Sequence, residues 1–422
     1  LTHAGVVLDG NLGTINVVYK CRGAGAALEP VGEAQVLLDE DTRMIQETVA
    51  KFVDRELIPI EKEVLKARVQ GGEGYGLSEA QSERLRKVSH DLGLWGLDAP
   101  VELGGQDLPA VTIAAVKEEM GRSCVNFTLP PDSPNLRMLA AVGTEAQKQR
   151  YLKPYIEGRM TSAIAISEPG AGGDPAGMKT RAVLEGGEWV INGRKIWISN
   201  ARHADFVIVM ARVGEGQRRG GITSFIVDKG TPGFIIEREI PMVGGARTYE
   251  IVFEDCRIPE DSVLGVVGQG YAPMQLRLLT RRLEMGSTAL GIARRALDMM
   301  CEHAKQRETF GVKLADRQAI QWWIADTSTR IHACRLMVHD AAEKTDRGED
   351  TRHEASMIKV FATEMAYDAC DHAMQTLGAL GMTVELPLNA LWQKARIMRM
   401  YEGPSEVHRQ SIARRVLGRA AS

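Results

Sequence analysis

The chain has 422 residues, more than one typical hydrophobic core holds, so two or three domains are expected. Hydrophobic residues make up 44% of it and charged residues 25%, an ordinary composition for a soluble globular protein. A formal net charge of -3 excludes a general attraction to nucleic acid or to an anionic membrane and leaves only local binding.

Residues 1–35 are rich in Gly, Ala and Val and read as an extension outside the main fold, with neither a transit-peptide nor a secretory pattern. From Asp41 the pattern is helical: Met44, Ile45, Thr48, Val49, Phe52, Val53 and Leu57 fall on one face, and Pro59 is expected to end that helix. Further helices are expected over Ser78–Leu92, Pro109–Arg122 and Glu145–Tyr155, with a folded surface loop over Leu94–Leu108. Around Thr161 the period changes to two. Strands are expected over Thr161–Ser167, Thr180–Leu184, Glu188–Ile191, Lys195–Ser199, Phe206–Ala211, Thr223–Val227, Phe234–Glu237 and Glu250–Phe253, with Gly186-Gly187 and Asn192-Gly193 as hairpin turns. From Tyr271 the chain is helical again, with long amphipathic segments over Leu276–Arg307, Arg317–Ala342, Arg352–Leu377 and Asn389–Met400. The fold class is therefore α+β multidomain: an N-terminal α-helical domain (36–160), a central antiparallel β domain (161–270) and a C-terminal four-helix bundle (271–422).

The six cysteines are scattered without C-x-x-C spacing, which points to free thiols rather than to zinc or a disulfide framework. The nine histidines form no H-E-x-x-H or H-x-H array, so no metal site is assigned. No apolar run reaches membrane-spanning length, and no membrane insertion is expected.

Ser167-Glu168-Pro169-Gly170-Ala171-Gly172-Gly173-Asp174 follows a predicted strand and reads either as a plain turn or as a cradle for a phosphate or flat ring. Trp197 and Ser199 share one strand face opposite Ile196 and Ile198, suited to core packing or to a heteroaromatic ligand. Arg307 with Phe310, and Gln375 with Gly378, end helices where they serve as caps or meet a ligand phosphate. Arg281, Arg282, Arg294 and Arg295 form a basic helix face, read as solvated surface first and as a seat for an anionic substrate tail second. Glu402, between Tyr401 and Gly403-Pro404 at a helix break, reads as a solvated loop carboxylate or, beside apolar neighbours, as a general base with raised pKa.

In this order SEPGAGGDPAGMKT, NGRKIWISN, FEDCRIPEDSVLG, GIARRALDMMCEHAKQRETFG, Gln318, QTLGALG and RMYEGPSEVHR resemble the acyl-CoA dehydrogenase family from about Val36 to the C-terminus. The resemblance implies an FAD site between the β domain and the bundle, completed by a neighbouring subunit of a homotetramer. Ser167, Gly172, Gly173, Trp197 and Ser199 would contact the flavin, with Pro404 and Glu406 along the cofactor. Arg307, Phe310, Gln318, Gln375, Gly378 and Ala379 would reach it from the adjacent chain. Glu402 matches the family's catalytic glutamate; the alternative position on the earlier helix holds Arg281, before Arg282. The implied reaction is α,β-dehydrogenation of an acyl-CoA to a trans-2-enoyl-CoA, with Tyr401, Gly403, Arg282 and Glu284 near the substrate and an electron-transferring flavoprotein as acceptor.

Departures from the family pattern are Pro404 for Thr, Ala379 for Gly, Gly173 for Ser, and Ser167 and Ser199 for Thr. Glu284 stands where an apolar residue is common: facing the pocket it would favour a polar or unusual acyl group, and otherwise it is a solvent-facing or subunit-interface residue. An oxidase on the same scaffold and a non-catalytic, nucleic-acid-associated flavoprotein are the competing readings. Retention of Glu402 and the mildly acidic chain count against the latter. A bacterial cytoplasmic location is expected over a mitochondrial matrix one.

Overall fold

The computed structural model describes residues 38–71, 76–131, 133–214, 221–243 and 246–418, so the expected extension over residues 1–35 lies outside the described residues. Helix α1 (Glu40–Phe52) starts where the Asp39 carboxylate accepts the Thr42 N–H at 2.7 Å. It buries Val49 and Phe52, but Met44, expected on the same face, is 59% exposed. Met44 stands one position, about 100°, off the stripe through Ile45, Val49 and Phe52. Pro59 does not end the helical path. It lies in a short 3-10 turn (Ile58–Ile60) that leads into α2 (Glu61–Val69), because a proline at the start of a new helical segment removes no hydrogen bond.

Helix α3 (Glu79–Asp91) opens on a capping box in which Ser78 and Gln81 satisfy each other's backbone N–H groups. Then come α4 (Ala110–Gly121) and α5 (Ser133–Val142). The latter was not anticipated, since Pro130, Pro131 and Pro134 mask a rhythm that nonetheless buries Leu136 and Leu139. Short α6 (Glu145–Gln147) and α7 (Lys153–Ile156) complete the N-terminal helices.

The strands are β1 (Ser162–Ala165), β2 (Arg181–Glu185), β3 (Glu188–Ser199), β4 (Phe206–Val213), β5 (Ile222–Asp228), β6 (Phe234–Pro241), β7 (Arg247–Pro259) and β8 (Val263–Leu264). They form one sheet in the order β6-β7-β3-β2-β4-β5-β8, with β1 beside β4. The sheet is mixed rather than antiparallel, because β1 and β2 both run parallel to β4. Asn192-Gly193 is not a turn: the two strands expected on either side of it are the single strand β3. The pairing of β3 with β7 shifts register at this point, and a β-carbon on Gly193 would come within 2.5 Å of Thr180 Oγ1. The glycine therefore serves a bulge and a close approach to the chain before β2.

Helix α8 (Tyr271–Gln306), 36 residues long, leads from the sheet into the bundle. After it come the hairpin β9 (Glu308–Thr309) and β10 (Val312–Lys313), then α9 (Gln318–Asp346), α10 (Arg352–Leu377), α11 (Leu388–Met398) and α12 (Ser405–Val416). Small residues let α8 and α10 approach: Ala289, Ala293 and Ala296 on one, Ala362, Ala366, Ala369 and Ala373 on the other. No described helix is long and apolar enough to cross a membrane.

Two glycines set the crossing of α4 and α8. A β-carbon on Gly121 would lie 2.3 Å from Thr288 O, and one on Gly291 1.9 Å from Glu118 O. Beside this crossing the buried carboxylate of Glu118 receives Arg294 and Arg335, each at 2.8 Å. Burial opposes its charge, but the two guanidinium groups outweigh burial and hold the carboxyl below its usual range. Gly291→Ala forces backbone against backbone, so a loss of about 1–3 kcal/mol is expected. Thermal unfolding checks this, and an unchanged midpoint would mean that the crossing has slack.

Candidate active site

Glu402 occupies the corner between α11 and α12 with φ 58°, a left-handed conformation uncommon for a residue with a side chain. The corner is held by its carbonyls. Arg282 Nε of α8 donates to Glu402 O at 3.1 Å, and Lys359 Nζ of α10 donates to Gly403 O at 2.6 Å. His408 Nε2 of α12 lies 3.2 Å from Glu402 O. Burial, reinforced by Arg282 and Lys359, pushes the His408 pKa down to about 4, so the ring is neutral and donates as the Nε2–H tautomer. Gly403, at φ 95°, is needed here, because a β-carbon would sit 2.9 Å from His408 Nε2. Three elements thus fix the corner through its oxygens, while the Glu402 N–H has no acceptor among the described residues.

The carboxylate itself is not solvated. Arg277 Nη1 donates to both of its oxygens, at 2.8 and 2.9 Å, and the side chains of Arg277 and Glu402 are only 10% and 13% exposed. Burial raises the Glu402 pKa, but Arg277, then Arg281 and Arg282, outweigh it and hold the carboxyl below the usual carboxylate range. The raised pKa expected from apolar neighbours is therefore overturned in this structure by an arginine that sequence reasoning missed. Arg277 lies one turn before Arg281 on α8, where helical spacing signals a shared face, but its partner stands 125 residues away.

Ser167 to Gly173 forms a loop between β1 and β2 that is pinned from beneath. Lys195 Nζ, wholly buried, donates to Ile166 O at 3.0 Å and to Glu168 Oε1 at 2.9 Å. Glu168 in turn accepts the N–H groups of Lys179 at 2.6 Å and Thr180 at 2.9 Å. Burial pushes the Lys195 pKa down to about 8 against the pull of Glu168, whose own pKa is lowered because Lys195 and the amides outweigh burial. Neither residue was singled out from sequence, although a lysine next to Ile196 in a buried strand is a usable signal.

Above this pair the loop presents open backbone. A β-carbon on Gly172 would meet nothing within 4 Å, and one on Gly173 would lie 3.6 Å from the Pro404 ring and 3.3 Å from Val407 Cγ2. The loop and the Glu402 corner are thus neighbours. At the end of β3 the register shifts again, and Trp197 takes φ 63° and stands 51% exposed beside exposed Ser199, while Ile196 and Ile198 are buried. A half-exposed indole next to an open glycine loop fits a flat heteroaromatic group.

Of the remaining candidates, Tyr401 and Glu406 flank the corner in sequence, and the others except Glu284 stand at the helix ends and on the β9–β10 hairpin. Arg307, Gln318, Gln375, Gly378, Ala379 and Glu406 are exposed, and Phe310, at the tip of the β9–β10 hairpin with φ 53°, is 98% exposed. Tyr401 packs half-buried on the bundle core. Glu284 is not solvent-facing. It is buried, accepts from Arg281 at 3.0 Å with Lys117 at 3.7 Å, and lines a cavity of about 400 Å³ between α4, α5 and α8 that neither Glu402 nor Arg277 lines. The basic face on α8 is likewise not solvated surface: Arg294 binds Glu118 and Glu119, and Arg295 approaches Glu61. Among the described residues no group of three His, Cys, Asp or Glu could hold a metal ion.

Family models match nearly the whole of this architecture: acyl-CoA dehydrogenase, N-terminal domain, over residues 39–159, middle domain over 163–256 and C-terminal domain over 268–417. The chain is 40% identical over 390 residues to the (R)-benzylsuccinyl-CoA dehydrogenase of Thauera aromatica, covering 90% of this chain and 96% of that protein. The structure of butyryl-CoA dehydrogenase from Megasphaera elsdenii superposes with a TM-score of 0.82 at 29% identity, covering 91% of this chain and 100% of that one. The FAD complex of PigA does so with a TM-score of 0.80 at 26% identity, covering 90% and 99%.

Proposed function

The chain belongs to the acyl-CoA dehydrogenase family and is an FAD-dependent oxidoreductase, and from that premise we propose that it removes the α-proton and β-hydride of an acyl-CoA thioester to give the trans-2-enoyl-CoA. The observation that carries this reading is the Glu402 corner: an ionised, nearly buried carboxylate on the same residue as a backbone N–H with no acceptor among the described residues. Glu402 is the base that takes the α-proton. Its N–H donates to the thioester oxygen and stabilises the negative charge that grows there as the proton leaves. Arg282, Lys359 and His408 hold that N–H in place through the corner's carbonyls. Bound FAD would supply the acceptor for the β-hydride, which leaves with its own electron pair, while the pair left on the α-carbon by the departing proton forms the new C=C.

Trp197, Ser199, Ser167, Gly172, Gly173 and Pro404 would hold the cofactor in its own chain. Arg307, Phe310, Gln318, Gln375, Gly378 and Ala379 would reach it from a neighbouring subunit of a homotetramer, and the fully exposed Phe310 supports a contact outside its own chain. An electron-transferring flavoprotein is the acceptor in this reading.

The test is anaerobic mixing of the FAD-loaded protein with acyl-CoA thioesters, straight-chain, aryl and (R)-benzylsuccinyl, while following flavin absorbance. Bleaching by at least one thioester is the expected result, followed by rapid reoxidation with an electron-transferring flavoprotein and slow reoxidation with O2. Absence of bleaching across the whole panel would overturn the reading.

A further inference from the structure

Arg277 is more than a partner of Glu402. Its Nε donates to Asn135 Oδ1 of α5 at 3.1 Å, and Asn135 Nδ2 donates to Ser162 Oγ of β1 at 2.9 Å. The guanidinium is therefore aimed by residues that do not depend on Glu402. Its Nη2 has no hydrogen-bond partner among the described residues.

Positive charge is in excess around the base. Arg277, Arg281 and Arg282 face Glu402 from α8 and Lys359 faces it from α10, while His408 of α12 is neutral. The nearby carboxylates do not redress this: Glu284 is taken up by Arg281 and Lys117, and Glu406 is exposed at the start of α12. When Glu402 takes a proton it becomes neutral, and Arg277 is left as a buried cation without an anion, a costly state. A hydrocarbon acyl chain supplies nothing to replace the lost partner. A carboxylate on the acyl chain does, in the two-pronged geometry that guanidinium prefers.

We propose that the substrate is a mono-CoA thioester of a succinate-type diacid and that Arg277 receives its free carboxylate. The assignment rests on the reading of Glu402 as the base. In any succinyl mono-thioester the free carboxyl carbon is two bonds, about 2.5 Å, from the α-carbon. One guanidinium can therefore release the base and hold the substrate carboxylate without moving far. Arg277 sets specificity in this scheme, and it also strengthens the base at the moment of binding, because the carboxylate it takes up draws it away from Glu402.

The test uses the FAD-loaded enzyme and two groups of probes under anaerobic conditions. Succinyl-CoA, methylsuccinyl-CoA and benzylsuccinyl-CoA carry the carboxylate; butanoyl-CoA and 3-phenylpropanoyl-CoA lack it. The diacid thioesters are expected to bleach the flavin with kcat/KM at least about 30-fold above the others. Arg277→Gln removes that margin, and Arg277→Lys retains part of it. With a carboxyl-free thioester, Arg277→Gln is also expected to move the acid limb of kcat/KM to higher pH, since the free enzyme's base has lost its nearest cation. Carboxyl-free thioesters that react as well as the diacids in the wild type would overturn the proposal, as would an Arg277→Gln that slows both groups by one common factor. If only carboxyl-free thioesters bleach, the dehydrogenase reading stands and this one falls; if none bleaches, both fall. Should Arg277→Gln fail to fold, the wild-type comparison decides alone.

Discussion

Glu402→Gln is expected to lower the rate of flavin bleaching by roughly 10²–10⁴-fold, the range for losing a general base, with FAD still bound. The amide keeps the shape and an acceptor oxygen for Arg277, but it cannot take the α-proton. The backbone N–H stays where Arg282, Lys359 and His408 hold it, so thioester binding should change far less than the chemical step. Rapid mixing separates the two: the spectral shift on binding persists while the bleaching phase collapses. A rate within threefold of wild type would put the base elsewhere, and Glu402→Asp, which keeps the carboxylate but shortens its reach, should fall between.

Lys195→Met is expected to be as damaging by a different route. It leaves the Glu168 carboxylate buried with two amide N–H groups and no cation, a change that costs about 3–5 kcal/mol for a buried pair broken on one side. The tie from Lys195 to Ile166 O is lost as well, so the Ser167–Gly173 loop loses its anchor and FAD should dissociate on gel filtration. Adding Glu168→Gln to Lys195→Met should recover part of the stability, since no lone charge remains. A single variant that retained both FAD and the wild-type midpoint would show that the loop is held by other means.

Much of the fold could be read from period alone. The change from helical to alternating patterning near Thr161 and back near Tyr271 matches the observed run of helices through Ile156, strands from Ser162 to Leu264 and helices from Tyr271. What period could not convey was strand direction: the parallel pairing of β1 and β2 with β4 depends on which strands meet, not on how each alternates. Asn192-Gly193 misled because the same dipeptide that favours a hairpin also suits a bulge with close backbone approach.

At the site, Glu402, Trp197 and the glycine loop were legible because each stands in a recognisable stretch. Arg277, Lys359 and Lys195 were not, because a cation's meaning lies in the partner it meets. Those partners are 125, 44 and 27 residues distant. Half of the basic face on α8 was misread for the same reason: Arg294 and Arg295 point at carboxylates on α4 and α2 that spacing along one helix cannot reveal.

The crossing of α4 and α8 also sets a timetable for biosynthesis. Glu118 waits for Arg294 of α8 and Arg335 of α9, which leave the ribosome 176 and 217 residues later, and Gly121 waits for Thr288 of α8. At roughly 5–20 residues per second that is a delay on the order of 10–40 s. Throughout it the N-terminal helices carry an uncovered apolar face and an unanswered carboxylate. Their own core of Val49, Phe52, Leu57, Leu85, Ile113 and Val116 is available from the start, but the α4 seam against α8 closes only when the late helices arrive.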